Sequence, residues 1–91
     1  MQSDRNQNRA AHFQELTYQG QLDTVWRQGK SLQIRRIPGY WIHLYAVDAL
    51  FVEMWICQRQ YDVMLLRVLD SIDELEPYLH TIQLSLQELL P

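Results

Sequence analysis

His43 and Glu53 lie ten positions apart in YWIHLYAVDALFVEMWIC, residues 40–57, and brought face to face they would form a general base with its orienting carboxylate. The segment reads as two strands of period two around a short turn. Taking Val47, Asp48 and Ala49 as a three-residue loop pairs Ala46 with Leu50, Leu44 with Val52, Ile42 with Met54 and Tyr40 with Ile56, so that one face is wholly apolar. The reverse face then pairs Tyr45 with Phe51, His43 with Glu53 and Trp41 with Trp55. A one-residue slip would exchange the faces, so the register is the central expectation.

In this register Trp41, His43, Tyr45, Phe51, Glu53 and Trp55 form one surface, four aromatic rings around an ionisable pair. Extending it to the preceding strand sets Arg35 or Gln33 opposite His43 and runs a polar row of Arg35, His43 and Glu53 across three strands. No nucleophile, second acid or glycine-rich anion loop accompanies the pair, so no catalytic residue is assigned. The pair is read instead as satisfying itself across the strands. A patch of this kind must be covered by a helix of the same chain, by a second copy or other partner, or by a ligand. The leading expectation is a non-enzymatic interaction module that self-associates, as a dimer, through this face or through a sheet edge. The alternative is a ligand-binding or regulatory domain with a pocket between sheet and helix.

A second cluster places Arg27, Lys30, Arg35 and Arg36, four of the eight basic residues, within ten positions and beside Trp26. Cations next to an aromatic ring could follow a single-stranded nucleic acid. The net charge of −3 and the acids Asp70, Asp73, Glu74 and Glu76 argue against that reading. His12, His43 and His80 fall in separate elements without ligand spacing, so no metal and no cofactor is expected. Cys57 has no second thiol to pair with and reads as a small packing residue in a reducing, cytoplasmic setting.

The elements that must position these residues follow from periodicity. Residues 1–9 are polar after Met1 and read as a flexible tail, leaving 10–91 as a single domain. Tyr18, Leu22, Val25 and Trp26 fall on one helical face, giving a helix from Ala10 to about Gln28, or two shorter ones broken near Gly20, with Gly29 as terminator. Strands are expected at Leu32–Ile37, Tyr40–Ala46, Leu50–Cys57 and Tyr61–Leu69, with turns at Pro38-Gly39 and Gln58-Arg59-Gln60. The fourth is so continuously apolar that both its faces should be partly covered. Ser71 to Glu74 matches a capping box, Pro77 should bend the helix that follows, and Ser85 to Glu88 repeats the capping pattern. The order predicts an α+β domain, a four-stranded antiparallel meander sheet with an N-terminal and a C-terminal helix. No stretch is apolar enough to suggest a membrane span or a signal peptide.

WIHLY (residues 41–45), LFVEMW (residues 50–55) and LEPYLHTI (residues 75–82) resemble a group of short uncharacterised bacterial α+β proteins that share an LY...FVEV hairpin and a C-terminal YL..I helix. The resemblance spans roughly residues 22–86. It implies a fold and carries over no catalytic or binding residue.

Overall fold

The computed structural model describes residues 10–80 and residue 82. The expected tail, 1–9, and the second capping pattern, 85–88, lie outside these residues. Helical residues 10–15 (α1) lead through Leu16 and Thr17 to α2, Tyr18–Gln28. The break falls just before Gly20, because Thr17 caps the second helix by accepting from the Gly20 amide at 3.0 Å.

Strand β1, Gly29–Ile37, starts directly at the end of α2, three residues earlier than expected. Gly29 is not a left-handed terminator; its φ is −74° and its amide bonds to the Val25 carbonyl. Its role is room: a Cβ there would lie 2.4 Å from the Val25 carbonyl oxygen and 3.1 Å from the Tyr45 ring. The remaining strands are β2, Tyr40–Val47, β3, Leu50–Cys57, and β4, Val63–Leu69, in the spatial order β1-β2-β3-β4, all antiparallel. The four-stranded meander is therefore as expected. Gly39, with φ 89°, makes the first turn. Tyr61 falls outside β4, in a loop closed by bonds from the Tyr61 amide to the Cys57 carbonyl and from the Cys57 amide to the Asp62 carbonyl. Tyr61 itself takes the left-handed conformation, φ 61°, which is costly for a bulky residue.

The β2–β3 register differs from the expectation by one residue. Asp48 and Ala49 alone make the turn, so Val47 pairs with Leu50, Tyr45 with Val52, His43 with Met54 and Trp41 with Ile56. Asp48 supplies the positive φ, 55°, that a two-residue hairpin needs, and its side chain makes that conformation tolerable. Alternation could not fix this register, because both faces of the sheet are covered.

The front face carries Trp41, His43, Tyr45 and Val47 with their β3 partners, and α1 and α2 pack Phe13 and Val25 onto Tyr45, Val47, Val52, Met54 and Val68. The back face carries Tyr40, Ile42, Leu44 and Ala46 opposite Cys57, Trp55, Glu53 and Phe51. There the chain after β4 packs Tyr78 and Ile82 against Leu44 and Leu69. That chain forms α3, Ile72–Leu75, capped by the Ser71 hydroxyl accepting from the Glu74 amide at 3.2 Å, and passes into a 3-10 turn, Glu76–Tyr78, at Pro77. The Glu74 carboxylate reaches back one residue beyond the cap, to the Asp70 amide, at 3.2 Å. The two helical regions thus sandwich the sheet. In β4 only the C-terminal half meets the expectation of cover on both faces: Val68 and Leu69 are buried, whereas Met64 is 54% and Leu65 44% exposed.

Candidate functional site

The single aromatic face expected from the sequence does not form. Trp41, His43 and Tyr45 lie on the front, Phe51, Glu53 and Trp55 on the back, and His43 sits opposite Met54 instead of Glu53. Two separate polar clusters replace the expected His43–Glu53 pair.

On the back face Glu53 is completely buried. Its Oε1 accepts from the Trp55 indole N–H at 3.0 Å and from Arg67 Nε at 3.2 Å. Its Oε2 accepts from the Tyr78 hydroxyl at 2.6 Å and from Arg35 Nη2 at 3.4 Å. Arg35 also donates from Nε to the Tyr78 oxygen at 2.8 Å, with its guanidinium 5.2 Å from the centre of that ring. Arg67 is the register partner of Glu53, while Arg35 reaches it diagonally from beside Ile42. Burial alone would push the Glu53 carboxyl up, but hydrogen bonds from Tyr78 and Trp55, with the Arg67 charge and the Arg35 bond, hold it below the ordinary carboxylate range. Burial and the Glu53 bond push the Tyr78 hydroxyl up to about 12. Both carboxylate oxygens are occupied, so the cluster is a latch for the C-terminal segment and not a base.

The expected Arg35, His43 and Glu53 row thus keeps its two ends and loses its centre. Sequence reasoning missed Arg67 and Tyr78. The available signal was Arg67, the one charge in an otherwise apolar β4, for which Glu53 is the only acid in β3 to pair with.

On the front face His43 Nε2 lies 2.6 Å from the Ser31 hydroxyl and Nδ1 lies 3.0 Å from the Tyr45 hydroxyl, with the two rings stacked at 4.2 Å. A serine beside a histidine invites a nucleophile reading, but proton bookkeeping opposes it. Burial lowers the affinity of His43 for a proton, so the neutral ring has one N–H to share. Tyr45 is 7% exposed, and among the described residues its hydroxyl has no hydrogen-bond partner besides His43. With Tyr45 donating to Nδ1, Nε2–H is left to donate to Ser31, and in that tautomer the serine has no base at this ring.

The basic cluster divides as well. Arg35 is held at Glu53, Lys30 sits beside Ala46 on the back, Arg36 pairs with Trp41 on the front, and Arg27 and Trp26 end α2. Trp26 is 58% exposed and meets Tyr45 edge-on at 6.4 Å. Among the described residues no three His, Cys, Asp or Glu side chains are grouped to hold a metal, and no helix is long and apolar enough to cross a membrane.

The two sheet edges contrast. Strand β1 carries Lys30, Arg35 and Arg36 and a bulge between Ser31 and Gln33. Strand β4 carries only Arg67, which is bonded to Glu53, and bears exposed Met64 and Leu65, with exposed Tyr18 beside it donating its hydroxyl to the Val63 carbonyl at 2.8 Å. Comparison of the chain with family models, with curated proteins and with solved structures finds no match.

Proposed function

We propose that this chain is a small interaction module, without chemistry of its own, that self-associates by pairing strand β4 with β4 of a second copy. One observation carries the reading: among the described residues, three of the seven exposed large hydrophobic side chains, Tyr18, Met64 and Leu65, gather along strand β4, whose single charge, Arg67, is bonded to Glu53. Natural edges are usually guarded by charge, proline or bulges against such pairing. Edge β1 has that guard. Edge β4 has one bulge, between Trp55 and Ile56 in the β3–β4 register, near its start. Antiparallel self-pairing centred on Leu66 sets Leu65 opposite the partner's Arg67 and keeps the two arginines from facing each other, in a closed two-fold arrangement.

Light scattering tests this directly. The wild type should have the mass of a dimer, and Leu65→Glu should convert it to a folded monomer. A wild type that stays monomeric into the hundred-micromolar range would overturn the reading.

A second reading rests on a cleft of about 380 Å³ between the N-terminal helices and the β2–β3 turn, with Phe13, Leu16, Val47 and Leu50 as an apolar floor and Thr24 and Gln28 on its rim. That volume suits a small ligand. Ligand-dependent melting would support it, whereas melting that depends on protein concentration supports self-association.

A further inference from the structure

Apart from edge β4, a strip of the front face on the β1–β2 side remains open beside α2. Tyr61, 70% exposed, packs against Trp41 with ring centres 5.4 Å apart. Arg36 is in register with Trp41, and Ile34, 60% exposed, is in register with His43. Beyond His43, Tyr45 meets Trp26 at 6.4 Å. The four positions from Trp41 to Tyr45 span about 13 Å of strand, so with a ring at either end the strip is about 25 Å long.

The charges around it identify a ligand class. Of the six basic residues between 27 and 67, Lys30, Arg35 and Arg67 are on the back face, which leaves Arg27, Arg36 and Arg59 for the front strip and its ends. Arg36 borders the rings directly, and Arg59 is in the turn that carries Tyr61. Asp62, next to Tyr61, is the opposing charge. Flat rings suit flat partners, and cations beside them suit anions. Tyr61 also keeps its left-handed backbone while its ring rests on Trp41 in the open, an unfavourable conformation of the kind that collects at binding surfaces.

The geometry points to a single-stranded nucleic-acid site on this strip, in which Trp26, Trp41 and Tyr61 stack bases and Arg36 and Arg59 meet phosphates. The site differs from the basic cluster read in the sequence. Arg35 and Lys30 are on the other face, and Trp41, Arg59 and Tyr61 take their places. It accommodates about four nucleotides, the short end of single-strand site sizes. It does not depend on edge β4 or on self-association.

The test titrates the full chain with fluorescein-labelled oligo(dT) and oligo(U) at low ionic strength, following anisotropy and tryptophan quenching. Binding should weaken as salt rises, with a log–log slope corresponding to about two phosphates. Arg36→Glu should lower affinity about tenfold or more and reduce that slope by about 0.7. Tyr61→Ser should lower affinity at least about fivefold with the slope unchanged. Both side chains are exposed, and circular dichroism checks that each variant folds. Leu65→Glu, at the β4 edge, should bind as the wild type does even if it changes the oligomer. No binding at low salt, binding indifferent to both strip variants, or equal affinity for polyglutamate would each overturn the assignment, the last in favour of an acidic protein partner.

Discussion

Replacing Glu53 by Gln tests whether the buried carboxylate is what holds the C-terminal segment to the sheet. Four donors converge on its two oxygens, and the amide can accept at only one while presenting an N–H to donors at the other. Breaking a fully buried ion pair costs about 3–5 kcal/mol. Here the Arg35 and Arg67 side chains are 30% and 44% exposed, so water can take over part of their solvation. Tyr78, at 0% exposure, cannot be rescued in this way, and a hydrogen bond to a charged acceptor contributes about 1.5–3 kcal/mol. The net expectation is a loss of about 2–4 kcal/mol, or roughly 10–30 °C in Tm for a chain of this size.

Urea unfolding followed by tryptophan fluorescence and circular dichroism measures the loss, with an unchanged slope showing that the same surface is exposed. The pH dependence gives a separate readout. Because the carboxyl of Glu53 titrates below its ordinary 4.5 in the folded chain, its contribution is complete above that value and disappears as pH falls through the lower folded value. The gap between wild type and variant should therefore narrow in acid. A loss under about 0.5 kcal/mol at neutral pH, or a gap that stays constant down to acid unfolding, would refute the reasoning.

Gly29→Ala should destabilise by about 1–3 kcal/mol in thermal melts, because the added methyl meets the Val25 backbone carbonyl and cannot be relieved by a rotamer change. His43 is held below its ordinary 6.5 by burial, so the unfolded chain takes up its proton first, and stability should be full above 6.5 and decline as pH falls from there to the folded value. Urea midpoints on either side of that window should differ in the wild type and converge in His43→Gln.

The architecture was largely legible from the residues. Pro38-Gly39, the Ser71 cap and the hydrophobic periods each act locally, and each produced the element it implies. The candidate site was not legible, for a physical reason: reading one hairpin by alternation assumes that one face is wet. With helices on both faces, apolar residues belong on both, and Asp48 in the left-handed region selected the shorter turn. Three of the four partners of Glu53 come from other elements, β1, β4 and the chain after it, so local pattern alone could not assemble them.

The convergence on Glu53 also bears on how the strands find their alignment. Slide β3 by one position against either neighbour and the carboxylate turns to the front while Val52 and Met54 turn to the back, and Glu53 parts from Arg35, Arg67 and Tyr78 at once. An ion stranded in a greasy interior is penalised far more than a misplaced valine, so a sheet whose apolar pattern tolerates two alignments acquires a preference for one. The acid thus works as a proofreader of strand pairing, and the closing segment can settle only over a correctly zipped sheet.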